Sequence, residues 1–234
     1  MINKNNQPGH LHPISQMTWQ ASQIFAEMGF SVVEGTEIET EFFNFDALNI
    51  PAGHPARGMQ DTFWLNPLAA KKLLITHDTT IDARYLSNNE PPFRIVTPSR
   101  VFRNEATDAT HEAQFYQFGG LVVEENVSLG HLKGILEHFY KKLLGSEISL
   151  RFRPSYFSFV EPGMEIDIKW RGQWLEVCGA GLSHPNVFTS CKRDSSKWRG
   201  LAFGSAIDRL VMIKYGVEDI RHFYSGDQRF LKQF

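Results

Sequence analysis

Long apolar runs are missing from the 234 residues. Stretches such as Leu121-Val122-Val123 end after a few positions, far short of the roughly 20 needed to cross a bilayer. No membrane partner is expected. The opening Met1-Ile2-Asn3-Lys4-Asn5-Asn6-Gln7 is polar and lacks the apolar core of a secretion signal, so a cytoplasmic location is expected. Cysteine is scarce: Cys178 and Cys191 cannot build a disulfide framework and read as buried small hydrophobes. Excess charge is absent as well. Twenty-four Lys and Arg against 26 Asp and Glu give −2, without the basic surplus of a free-standing nucleic-acid binder. Neither G-x-x-x-x-G-K-[ST] nor a complete G-x-G-x-x-G occurs, since Gly179-Ala180-Gly181 lacks the third glycine. The histidines show no zinc-ligand spacing, and His111-Glu112 lacks the second histidine of H-E-x-x-H.

Repeats, low-complexity tracts and Pro/Gly/Ser linkers are also lacking. Residues 9–234 therefore read as one domain behind an extended or disordered stretch 1–8. A 26.8 kDa chain that is 42% hydrophobic can hide roughly 70% of its unfolded surface, enough for a sizeable core without a metal or disulfide.

Helical spacing of Met17, Ala21, Ile24, Phe25 and Met28, stopped by Gly29, predicts a helix after Pro13. Phe30 to Val33 predicts a short strand, and 42–64 a long, site-bearing loop. Strands are predicted over 94–102 and 113–123, joined by a polar loop, followed by an amphipathic helix over 129–144. Three strand-like runs follow from Ile148, and a helix over 206–215 closes the series. In Met164-Glu165-Ile166-Asp167-Ile168 the strict alternation marks one wet face. Strands that follow one another without alternating helices predict an α+β domain, an antiparallel sheet flanked by helices.

Several groups could carry chemistry. Arg103 leaving a strand, Glu105 two residues on, His111 in the loop and Phe115 entering the next strand could hold a nucleotide by its phosphates and base. The same residues also suit a solvated hairpin loop. Arg209 opens the last helix behind a run of small residues that admits a close ligand, or packs the helix beside a surface Asp208/Arg209 pair. Phe157 and Phe159, two apart on a presumed strand, would share one face of an aromatic pocket or of the core. Glu161, Glu165, Asp167 and Glu176 could hold magnesium on a triphosphate, or line solvated strand faces.

Taken with Gly9-His10-Leu11-His12-Pro13, His54-Pro55-Ala56-Arg57, Phe157 to Gly163, Trp174 to Val177, His184-Pro185-Asn186 and Phe230 to Phe234, these segments resemble the catalytic domain of the phenylalanyl-tRNA synthetase α subunit, a class II aminoacyl-tRNA synthetase. The resemblance runs from about Gly9 to Phe234. It implies that Arg103 holds a substrate carboxylate and the α-phosphate of ATP, Glu105 and His111 fix the nucleotide, Phe115 stacks on adenine and Arg209 grips the γ-phosphate. Glu161 and Glu176 would hold Mg2+. His77, Thr79, Asp82, Gln117 and Gly119 would meet the α-substituents of an aromatic acid whose ring lies among Phe157, Phe159, Val160, Ala202 and Gly204.

The departures shape the functional expectation. Thr76-His77-Asp78-Thr79-Thr80-Ile81-Asp82 stands where the family reads Thr-His-Thr-Ser-Pro-x-Gln. Gln117-Phe118-Gly119-Gly120 stands for Gln-Phe-Glu-Gly, removing a carboxylate beside the expected α-ammonium. Either Asp82 has taken over the ammonium, or the substrate is an aromatic 2-hydroxy acid. Because the chain begins where the family's catalytic domain begins, and because its charge is near neutral, the expectation is an ATP-dependent, AMP-forming ligase passing an aromatic acyl group to an amine other than tRNA. tRNA is then not an expected partner, and a homodimer or a heteromeric partner chain is. A phenylalanyl-tRNA ligase α-subunit domain working with a β subunit is the alternative, and a catalytically silent binding paralogue the third reading.

Overall fold

The structure is a computed structural model that describes residues 9–234; the expected stretch 1–8 lies outside the described residues. In chain order the elements are α1 (Pro13–Glu27), β1 (Ser31–Val32), β2 (Ile38–Thr40), α2 (Glu41–Asn44), β3 (Lys72–Leu74), α3 (Thr79–Asn88), β4 (Phe93–Phe102), β5 (Gln114–Glu124), α4 (Leu129–Leu144), β6 (Leu150–Phe157), β7 (Val160–Trp170), β8 (Gln173–Ser183), α5 (Pro185–Ser190), β9 (Arg199–Ala206), α6 (Ile207–Tyr215) and α7 (Gln228–Leu231). Seven strands form one sheet in the order β1-β4-β5-β9-β8-β7-β6, antiparallel except for the short parallel pair β1 and β4. The α+β reading holds, with that parallel edge as an addition.

The two sheet faces are covered differently. On one, α1, α4 and α6 pack a core in which Phe25 stacks on Phe118 at 5.4 Å and on Phe203 at 5.2 Å and meets Phe139 at 4.7 Å. Each such ring removed from water contributes ~2–3 kcal/mol. The other face carries a second cluster with Phe45, Leu48, Leu86 and Phe188, packed under α3 and α5. Because side chains alternate along a strand, Phe118 and Phe203 enter the first core while Gly119 and Gly204 look out on the second face. That face holds the cavity.

Two elements escape the sequence reading for physical reasons. Central β9 is buried on both sides and built of small residues, so it shows no alternation. Helix α3 buries Thr79, Thr80 and Asp82 alongside Ile81, Ala83 and Leu86, which hides its apolar stripe. The wet face expected on β7 is an ion-pair ladder instead: Asp167 is buried, held by Arg151 at 2.8 Å and Arg153 at 2.6 Å, with Arg151 lying 4.6 Å over Trp174.

Three His-Pro pairs share one local device. His12, His54 and His184 each precede a proline that opens a helical turn. Each accepts the second backbone N–H through Nδ1, at 3.2, 3.2 and 3.0 Å. Proline presets φ for the first turn and the imidazole satisfies one orphan donor. The 42–64 segment is not an open loop. Arg57, nearly buried, ties it by ion pairs to Glu41 at 3.1 Å and Asp46 at 2.6 Å and by a bond to the Ile50 carbonyl.

Candidate functional site

A cavity of about 430 Å³ opens on the second sheet face, a size suited to a small-molecule ligand. At one end the loop between β4 and β5 supplies Arg103, Glu105 and His111, and the start of β5 supplies Phe115. The Arg103 guanidinium lies 5.0 Å over the Phe115 ring while Nε donates to the Thr76 carbonyl at 3.2 Å. Burial pulls its pKa down, yet a guanidinium stays cationic. His111 is fixed to Asp108, 3.0 Å from Nδ1, and the loop is pinned by the Ile220 N–H donating to the Ala109 carbonyl at 2.9 Å. Opposite, Arg209 Nη1 donates to the Glu176 carbonyl at 2.8 Å, and burial and the charge of Glu165 raise the Glu176 carboxyl.

Asp208 is not the surface partner of Arg209 that the sequence suggests. It is 1% exposed, lines the cavity, and accepts the Tyr116 N–H at 2.7 Å and the Tyr224 hydroxyl. Burial pushes its carboxyl up to about 6. Through these bonds the last helix and β5 carry Arg209 and Phe115 in fixed relation.

The other end is aromatic. Phe157 closes β6 and Phe159 sits in the β6–β7 turn, so the two do not share a strand face as expected. The turn brings their rings together nevertheless, centroids 5.8 Å apart. Asn49 Nδ2 donates to the Ser158 carbonyl at 2.8 Å and steadies that turn from the 42–64 segment. Val160, Ala202 and Gly204 join this end, and His77, stacked 6.0 Å from Phe159, borders it with Thr79 and Gln117. Burial and the Arg103 charge pull His77 down to about 3, so its ring is neutral, with Nε2 unpartnered.

Five expected residues do not line the cavity. Asp82 does not line this cavity; it accepts weakly from Thr97 Oγ1 at 3.4 Å and borders a small apolar hollow behind. Gly119 lies under the carboxylate of Asp78, which does line the cavity and which the sequence reading did not select. Glu161 is largely exposed and paired with His184 at 3.3 Å, and Asp167 and Glu165 are consumed in the arginine ladder. Among the described residues no group of three His, Cys, Asp or Glu side chains is placed to hold a metal ion. Glu176 lines the cavity and Glu161 does not, so the pair expected to hold Mg2+ is not brought together there.

An arginine on an aromatic face, a second arginine across the cavity and an aromatic box beyond them suit an organic acid bound next to a nucleotide. The family described as tRNA synthetases class II core domain (F) matches residues 1–234. This chain belongs to that family. Relatives named phenylalanine–tRNA ligase α subunit include those of Psychrobacter arcticus, 46% identical over 99% of this chain, Leptospira biflexa, 49% over 97%, and Vibrio vulnificus, 48% over 97%. The chain spans about two thirds of their length, 65, 69 and 68%. Two solved pyrrolysyl-tRNA synthetase structures from Desulfitobacterium hafniense superpose with TM-scores of 0.68 and 0.69 over 90 and 91% of this chain and 72 and 73% of theirs. At 19 and 18% identity they speak for the fold.

These relatives overturn the leading functional expectation. Proteins nearly half identical to a class II core carry the tRNA ligase name, so acyl transfer to a non-tRNA amine and the exclusion of tRNA as partner are both corrected. A near-neutral total charge was a poor guide, because a local surface patch does not register in a sum. Among the described residues no helix is long and apolar enough to cross a membrane.

Proposed function

We propose that the chain is the catalytic core of a phenylalanine–tRNA ligase α subunit. It joins an aromatic amino acid to ATP and passes the aminoacyl group to tRNA, with a companion subunit as partner. The relatives' shared name supports the substrates and the companion. The observation that carries the chemistry is Arg103, stacked on Phe115 and facing the same cavity as Arg209.

A carboxylate is already a nucleophile, so adenylation needs alignment and charge neutralisation rather than a general base. A substrate carboxylate oxygen attacks the α-phosphorus, the new P–O bond forms the mixed anhydride, and the bond to the β-phosphate oxygen breaks to release pyrophosphate. Arg103 bridges the carboxylate and the α-phosphate, Phe115 stacks on the base with Glu105 and His111 beside the nucleotide, and Arg209 takes the outer phosphates. Phe157, Phe159, Val160, Ala202 and Gly204 hold the ring. A terminal tRNA hydroxyl then attacks the acyl carbon, AMP leaves, and the hydroxyl proton departs to solvent or phosphate. ATP with Mg2+ is the family's general requirement, and no step here runs through a protein-held ion.

Pyrophosphate exchange into ATP tests the reading. Exchange that depends on phenylalanine, with charging of tRNA once a companion subunit is added, is expected. Exchange with no amino acid, from chain and companion together, would refute it.

A further inference from the structure

Beneath the aromatic end runs a single rung of three glycines, Gly119 opposite Gly204 and Gly204 opposite Gly179, of which Gly204 and Gly179 reach the cavity. Something else fills the space their side chains would take. A Cβ on Gly179 would stand 2.9 Å from the Phe157 ring; one on Gly119 would stand 2.5 Å from Asp78 Oδ2, and one on Gly204 2.8 Å from Asp78 Oδ1. A carboxylate and a phenyl ring thus lie side by side on the bared backbone, the carboxylate admitted only because two strands dispense with side chains there.

That carboxylate is left without a match. Asp78 is 1% exposed; its carboxyl meets the Thr79 hydroxyl at 3.4 Å and the adjoining backbone N–H groups, and Oδ2 has no hydrogen-bond partner. Asp82 stands behind it across Thr97 with its own Oδ2 unpartnered. Among the described residues neither carboxyl forms an ion pair. The Arg103 charge acts on Asp78 from the same cavity, but its guanidinium is bonded to the Thr76 carbonyl and lies on the Phe115 ring. Buried polar atoms normally find partners, and an orphan at a cavity wall points to what the cavity receives.

We propose that Asp78 is the carboxylate that receives the substrate's α-ammonium, making the cavity specific for a free aromatic amino acid over its desamino or hydroxy counterpart. The assignment rests on the function proposed above. It gives to Asp78 the role that the sequence alone offered to Asp82, and it removes the need for a 2-hydroxy acid substrate. Asp82, bonded to Thr97, lies outside the cavity and does not touch the ligand.

Calorimetric titration of the full chain with L-phenylalanine, 3-phenyllactate and 3-phenylpropionate, without ATP, tests it. The wild type is expected to prefer phenylalanine. Asp78→Asn, close in shape, is expected to weaken phenylalanine binding roughly 30-fold or more and to leave phenylpropionate within about threefold, as when one member of a buried charge pair is removed. Asp78→Thr with Gly119→Glu returns the carboxylate from the strand side and is expected to recover the preference; it carries the comparison if Asp78→Asn does not fold. Equal losses for all three acids, or none, would overturn the assignment. So would a dependence on Asp78 seen only with 3-(3-aminomethylphenyl)propionate, whose amine is on the ring. A wild type that prefers phenylalanine yet supports no pyrophosphate exchange with the companion subunit would strike the adenylation reading and leave Asp78 its role. Exchange without that preference would do the reverse, and a wild type that binds none of these acids contradicts both.

Discussion

Arg103 is aimed by Thr76: its Nε donates to the Thr76 carbonyl at 3.2 Å, and the guanidinium is thereby laid on Phe115 before any ligand arrives. Thr76 is itself held, its N–H donating to Asn44 Oδ1 at 3.2 Å and its hydroxyl accepting from Asn44 Nδ2 at 3.0 Å. A preoriented cation has little reorganisation left to do when charge develops at phosphorus.

Arg103→Ala is therefore expected to lower phenylalanine-dependent pyrophosphate exchange at least ~100- to 1,000-fold, the scale of losing one preorganised charge donor. Arg103→Lys is expected to recover little, because an ammonium cannot bridge two anions in the planar forked geometry. Recovery to within tenfold would show that only the charge matters.

Asp78 makes stability depend on pH in a direction unusual for an aspartate. Burial pushes its carboxyl up from the ordinary 3.8 to about 7, so between those values the native state keeps a proton that the unfolded chain has released. Stability from this group is fully present below about pH 4 and is lost as pH rises through about 7. Asp82, His77, Arg103, Glu105, Glu176 and Arg209 face or back the same space and are common to both proteins in the comparison. Urea unfolding at pH 5 and 7.5 should show the wild type losing ~2 kcal/mol more than Asp78→Asn. Parallel losses would contradict the buried carboxyl.

The histidine caps give a prediction independent of the cavity. His184→Ala removes the acceptor for the Asn186 N–H and should cost about 1 kcal/mol in denaturant unfolding. His12→Ala should cost more, since Nε2 also donates to the Phe223 carbonyl at 2.9 Å and ties α1 to the chain end. Equal, negligible costs would mean that proline alone sets these turns.

Arg57 braces the 42–64 segment, whose Asn49 reaches the ring pocket. Replacing it with Met leaves Glu41 and Asp46 without their shared cation, though Glu41 keeps Lys71, and should lower stability by about 2 kcal/mol. It should also weaken binding of aromatic acids, because Asn49 of that segment holds the Phe157–Phe159 turn. A change under about 1 kcal/mol would show the ion pairs to be solvated in solution.

Helices α1, α4 and α6 were legible because each has one apolar stripe, and β4 and β5, though buried on both faces, because their β-branched and aromatic runs are bounded by polar loops. β9 and α3 were not, the first buried all round and the second burying its polar residues. The cavity's charged end was legible through Arg103, Phe115 and Arg209 as a pattern. Asp78 was not, because its meaning depends on Gly119 and Gly204, which lie 41 and 126 positions away in sequence and become its neighbours only through strand pairing. Asp82 looked equivalent in sequence, four residues on. One helical turn separates an acid at the cavity wall from one behind it.

The most direct test of the account is a crystal structure with a non-hydrolysable phenylalanyl-adenylate analogue. The expected result is the bridging group within hydrogen-bond distance, about 3 Å, of the Arg103 guanidinium, adenine on Phe115 and the α-ammonium on Asp78. An analogue whose phosphate mimic lies away from Arg103, or that leaves this cavity empty, would contradict it.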